Sequence, residues 1–218
     1  MEVPVKQSCS WTLKAVLNCR DIIQNSPVWD NMLRDTKYKS RAMYEDLKDS
    51  SQQDVAWRKM LFHNLARPRA VHILWRACHN SLATKERLCR FGMLANMDCC
   101  FCGAVESLQH LLFECNATKV IWHAVLKWLQ FHHSPLGWKE ELVWMLEQSN
   151  RKGWRYTMLK CAFTEAVYEI WCHRNRVCLE NEDRHNSDSI VFKIIDNVIY
   201  RCWSKVQLRQ HIGKLMLP

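Results

Sequence analysis

Apolar side chains recur every three or four residues along most of this chain, a spacing that predicts a succession of amphipathic α-helices. Near the N-terminus, Ser10 to Gln24 places Leu13, Val16, Leu17 and Ile22 at helical spacing, and Asn25 to Asp30, with Pro27, reads as a break. Arg41 to His63 reads as one or two helices. Pro68 suits the first turn of another that carries Val71, Leu74, Trp75 and Cys78. Thr84 is placed to cap a short helix that stops at Gly92. Further on, Val120, Ile121, Ala124, Val125, Trp128 and Leu129 form a core-facing stripe. The clearest periodicity runs through Leu159, Ala162, Phe163, Ala166, Val167, Ile170, Val177 and Cys178, leaving Glu165, Glu169 and Arg176 for other faces. A last helix carries Val191, Ile194, Ile195, Val198, Ile199 and Cys202, with Lys193, Asn197, Arg201 and Lys205 on its opposite side. No stretch alternates as a strand would. The expected fold class is therefore all-α, with at most a short β-hairpin at a cysteine-rich turn near residue 100. Three segments are expected: 1–50 helical, 51–131 around that turn, and 132–218 helical.

Composition agrees. Of 218 residues, 48% are apolar and only five each are Gly and Pro, which excludes a disordered chain and disfavours a turn-rich β-fold. The net charge of +9 is unevenly spread. Between Trp57 and Gly92 lie eight basic residues (Arg58, Lys59, Arg67, Arg69, Arg76, Lys85, Arg87 and Arg90) and one acid, Glu86, whereas acids outnumber bases from Phe101 to Asn150. Such a segment suits a polyanion, although a solvated basic surface is the commoner meaning of any one charge cluster. The 12 cysteines would signal disulfides in a secreted protein, but Met1 to Gln7 has no apolar signal core and no later run is long enough to span a membrane. A reducing, nuclear or cytoplasmic setting is expected, and with it no membrane partner.

The chemistry concentrates in Cys99-Cys100-Phe101-Cys102-Gly103 and His110-Leu111-Leu112-Phe113-Glu114-Cys115. Read as C-x2-C-x7-H-x4-C, Cys99, Cys102, His110 and Cys115 supply three thiolates and an imidazole, the tetrahedral set that Zn2+ accepts. Gly103 lets the backbone turn after the second Cys. His110 is expected on a short helix begun near Ser107, Cys115 at its end, and Asn116 as a cap for the next helix. Cys100 is a poor rival ligand, since one residue separates it from Cys102, and His123, His132 and His133 lie too far along the chain to replace His110. Four thiolate-rich ligands leave no open position for substrate, so the zinc is expected to be structural.

These residues carry a resemblance. Trp57, Arg67-Pro68-Arg69, Trp75-Arg76, Asn80 to Thr84, Leu88 and Gly92 lead into Cys99-x2-Cys102, and Glu106-Ser107, His110-Leu111-Leu112-Phe113-x-Cys115 and Trp122 follow. The run resembles the zinc-binding region at the C-terminal end of reverse transcriptases from plant LINE-type, non-LTR retrotransposons. Tyr168-Glu169-Ile170-Trp171-x-x-Arg174-Asn175-Arg176 is similar to the helix that follows it there, and Ser10-Trp11 with Leu13 to Ile23 to the segment before it. The resemblance implies that the four ligands hold zinc and that the region holds RNA or DNA beside a polymerase. The chain departs from the parent polyproteins in having no Tyr/Phe-x-Asp-Asp motif, endonuclease or RNase H segment.

The expectation is therefore a non-catalytic zinc-binding protein that takes RNA or DNA without strong sequence preference and has no small-molecule substrate. Arg67, Arg69, Arg76, Lys85, Arg87 and Arg90 are the expected phosphate contacts. Trp57, Trp75, Trp122 and Trp171 are either base-stacking groups or core anchors, the latter being commoner for helical Trp. The alternative is a helical protein–protein interaction module in which zinc only stabilises the fold.

Overall fold

A computed structural model describes residues 26–35, 40–47, 55–179 and 187–216, so the helix expected over 10–24 lies outside the described residues. The chain divides into two compact units, residues 1–54 and 55–218. In the first, α1 (Pro27–Asp35) packs against α2 (Ser40–Leu47), and the Ser26 hydroxyl donates to the Asp46 carboxylate. Pro27 does not break the chain as expected. It opens α1, where its fixed φ suits a first turn and its missing N–H is no loss.

The second unit contains α3 (Arg58–Leu61), α4 (Pro68–Cys78), α5 (Lys85–Arg90), an irregular helical turn (His110–Glu114), α6 (Asn116–Trp128), α7 (Trp138–Ser149), α8 (Trp154–Leu179), α9 (Ser187–Trp203) and α10 (Val206–Met216). No strand occurs among the described residues. One antiparallel bridge, Asp98 to Val105, is the only trace of the expected hairpin there. The fold is all-α.

The axis of this unit is α8. Its 26 residues span about 39 Å, and α4, α6, α7, α9 and α10 all pack on it. With neighbours on most sides, its buried set runs past the expected stripe to Met158, Cys161, Thr164, Glu165, Glu169, Trp171, His173 and Arg174. Glu165 and Glu169 are thus not on a solvent face, and Cys178 is only half-buried. A carboxylate can stay buried if its oxygens are satisfied. Glu165 accepts from the Arg67 backbone N–H at 2.8 Å and from its Nε at 2.9 Å, and Arg67 Nη2 reaches both Glu165 (2.5 Å) and Glu169 (2.6 Å). Burial alone would lower the Arg67 pKa, but the hydrogen bonds it donates to Glu165 and Glu169 outweigh that and hold it above its ordinary value.

The buried face of α6 is rotated from the expected stripe. Thr118, Ile121, Trp122, Val125 and Leu126 face inward, while Val120 is 59% exposed. Trp122 accounts for the rotation: its ring needs the core and its indole N–H needs an acceptor, which buried Glu141 of α7 provides at 2.8 Å. On α9, Ile190, Ile194, Val198 and Cys202 make a row four residues apart that lies against α8 and α6.

Candidate metal centre and the basic helices

The knuckle is built by backbone bonds before any side chain matters. Cys99 N–H donates to Ala104 O at 2.6 Å, Gly103 N–H to Cys99 O at 2.9 Å, and Glu106 N–H to Met97 O at 2.8 Å. Gly103 turns at φ +81°, the left-handed region where a side chain costs roughly 1–2 kcal/mol. On a regular helix, residues five apart point about 140° away from each other, so His110 and Cys115 could not share a site. The chain breaks the helix between them. Ser107 Oγ accepts from His110 N–H at 3.0 Å, Leu112 leaves helical dihedrals, and Phe113 takes φ +81°. That conformation is uncommon for a bulky residue. It is offset here because the fully buried Phe113 ring packs against Trp122 and Phe163, with centroids 5.6 Å and 5.5 Å away. Cys115, not Asn116, occupies the cap position before α6, and Asn116 is its first residue.

The four donor atoms of Cys99, Cys102, His110 and Cys115 lie within 4.8 Å of one another. Cys102 Sγ is 3.1 Å from His110 Nε2, and Cys99 Sγ is 4.0 Å from Cys115 Sγ. A tetrahedral zinc with Zn–S near 2.3 Å needs sulfurs about 3.8 Å apart, so the set fits the ion. Cys99 and Cys115 are buried and Cys102 faces solvent, which leaves an entry path. Hydrogen bonds with Cys100 and Cys115 hold the Cys99 thiol well below its ordinary pKa, while the contact with Cys99 pushes Cys115 up. Cys100 touches Cys99 but is not one of the four donors, and it groups with Glu106 and Cys178. The other histidines are occupied elsewhere or point outward: His133 Nε2 meets Glu141 at 2.7 Å and stacks on Trp144, and His123 is exposed.

Behind the knuckle lies a residue that sequence reasoning passed over except as part of a motif. Glu106 is fully buried and accepts from Lys85 N–H at 2.9 Å, from Arg174 Nη2 at 2.5 Å and from Arg174 Nε at 3.0 Å. It ties the start of α5, the knuckle and α8 together. Arg174 lies 68 positions away, so no local signal announces the pair. Glu106→Ala is expected to leave Arg174 buried and unpaired and to cost about 3–5 kcal/mol, read as a fall in melting temperature on the order of 10 °C. An unchanged melting curve would remove Glu106 from this role.

The six expected phosphate contacts separate into different surroundings. Arg67 is engaged by Glu165 and Glu169 as described. Arg76 Nη2 donates to Ser81 O at 2.7 Å, and Arg87 Nη1 to Asn80 O at 2.7 Å, so both brace the loop between α4 and α5. Lys85 Nζ reaches Asp98 O at 2.7 Å, beside the knuckle. Arg90 makes a one-turn pair with Glu86 at 2.8 Å, an exposed contact worth little, and Arg69 is exposed on the first turn of α4. Trp122 and Trp171 are core anchors. Trp57 is half-buried, and Trp75 is 44% exposed.

The arrangement is a turn whose Cys3His set could hold a metal ion, joined to a helical core. Residues 38–122, which include all four donors, match the model of a family described as zinc-binding in reverse transcriptase. No curated protein and no solved structure matches the chain. Among the described residues no helix is long and apolar enough to cross a membrane.

Proposed function

We propose that this chain is a non-catalytic zinc-binding module, descended from the C-terminal tail of a plant LINE-type reverse transcriptase, that holds RNA or DNA by its phosphates in the nucleus or cytoplasm. One observation carries the reading: residues 55–85 contain six Lys or Arg and no Asp or Glu, and this run leads directly into α5 and the metal-binding turn. The site's own charge does not attract a polyanion, because three thiolates and one divalent ion sum to about −1, so attraction rests on the side chains. Zinc, when bound, supplies a fixed crosslink between the knuckle and the start of α6. The residues then orient α5 through Glu106 and Lys85, which leaves Arg90 exposed and Lys85 and Arg87 half-buried on the same short helix. Arg69 extends the surface onto α4.

A non-catalytic role is supported by where the reactive groups are spent. Glu106, Glu141 and Glu165 are buried and hold Arg174, Trp122 and Arg67. Burial pushes the Cys78 thiol up to about 12, and a hydrogen bond between Cys161 and Cys202, aided by burial, raises the Cys161 thiol, so neither is an activated nucleophile.

With Arg69, Lys85, Arg87 and Arg90 on phosphates, log affinity for a single strand is expected to fall against log salt with a slope near −2.8, at roughly −0.7 per contact. Replacing Arg87 and Arg90 together by Ala should make the slope shallower by about 1.4 while zinc content stays the same. Binding that is absent at low salt, or indifferent to salt and to both substitutions, overturns the nucleic-acid reading and leaves the protein-interaction module.

A further inference from the structure

The contacts proposed so far grip phosphates and say nothing about the bases. On the outer side of α3 and α4 an open groove of about 570 Å³ is lined by Trp57, Leu61, Phe62, Val71, His72 and Trp75. Trp57 packs against the core at one side, while Phe62 is 57% and Trp75 44% exposed. The rings form a connected series. His72 lies 5.8 Å from Trp75 between centroids, Trp75 lies 4.7 Å from His79, and His79 lies 5.0 Å from Trp57, each pair meeting edge-on. The exposed surface of Trp75 and Phe62 is what a flat guest can cover. Helical spacing sets Arg69, His72 and Arg76 along one stripe of α4, at i, i+3 and i+7, beside the stripe that carries Val71 and Trp75. Arg58 lies over the Phe62 ring at 5.0 Å.

We infer that this groove holds the unpaired bases of a single-stranded nucleic acid, stacked on Trp75 and Phe62. The inference rests on the phosphate-binding reading above. An apolar groove alone would suit a protein segment equally well. Charge complementarity decides between them: no acid is among the residues lining the groove, Arg69 stands exposed next to it on α4 and Arg58 lies over Phe62, a setting that favours a polyanion. A strand with one face on the rings and its backbone along Arg69 satisfies both features, whereas a duplex hides its base faces.

The test is fluorescence anisotropy with end-labelled strands of equal length: a base-bearing single strand, an abasic strand and a duplex. Trp75→Ala is expected to weaken the base-bearing strand about 5- to 150-fold, from the stacking of one base, and to leave the abasic strand, the duplex and the salt slope unchanged. Phe62→Ala should act in the same direction, and Trp75→Phe should retain most of the affinity. Zinc content and near-ultraviolet circular dichroism establish that each variant is folded. If wild type binds no strand at low salt, the phosphate reading fails and this inference with it. If strands bind with the expected salt slope but both Ala variants treat base-bearing and abasic strands alike, the groove is not a base site and the phosphate reading stands. If sedimentation instead shows a dimer that Trp75→Ala dissociates, the groove is a face for a second copy, and the inference is overturned.

Discussion

Purified protein is expected to contain about one zinc ion per chain, and Cys115→Ser is expected to lose it. A preformed set of three thiolates and an imidazole binds zinc with apparent free energies of roughly 10–16 kcal/mol in small zinc-folded peptides at neutral pH. The donors here already lie within 4.8 Å of one another, so little is spent in gathering them. The metal is not needed for the core. Leu111, Leu112 and Phe113 are fully buried in an apolar cluster that contains none of the four donors. Removal by chelator should therefore leave most helicity intact and release residues 97–106, seen as hydrogen exchange gained at the knuckle amides of Cys99, Gly103 and Glu106. Cys100→Ser should retain zinc, because its sulfur groups with Glu106 and Cys178 instead. A folded protein that carries no metal and does not respond to chelator refutes the assignment.

Arg67→Ala is expected to be among the most destabilising single substitutions outside the metal centre, at about 3–5 kcal/mol. The cost is not the lost attraction alone. Glu165 is fully buried and Glu169 nearly so, and Arg67 satisfies oxygens on both. Without it, a buried carboxylate resists ionisation, so its folded-state pKa rises above the unfolded value. A group raised in this way favours the folded state below its unfolded pKa and disfavours it as pH rises. The deficit of Arg67→Ala against wild type should therefore be largest at neutral pH and shrink on acidification toward the ordinary carboxylate range. The double substitution Arg67→Ala with Glu165→Gln should recover part of the loss. Denaturant melts across pH decide the matter, and a deficit that is small or independent of pH contradicts it. A loss of nucleic-acid binding in Arg67→Ala would then reflect unfolding rather than a missing phosphate contact.

Periodicity and ligand spacing made much of this protein legible. An all-α chain, Pro68 and Thr84 at helix starts, Gly103 in a tight turn and the clustering of the four candidate donors all follow from local rules, because caps, turns and chelate spacings are set by a few adjacent residues. Charge misled where partners are distant. Arg67 reads as a surface base and Glu165 and Glu169 as solvent-facing acids, yet they neutralise one another across 98 and 102 positions of chain. An ionised side chain has the same sequence signature whether water or a buried partner satisfies it, so only packing reveals which. The same holds for tryptophan: four alike in sequence divide into Trp122 and Trp171 in the core and Trp57 and Trp75 at a groove. It holds too for the two halves of the metal site. The spacing of His110 and Cys115 is wrong for a helix, and what brings them together is Phe113, pulled into the core by Trp122 and Phe163 strongly enough to hold a left-handed backbone. Local sequence determined which atoms could bind a metal, and tertiary burial decided how they meet, because only the packed core outweighs that backbone strain.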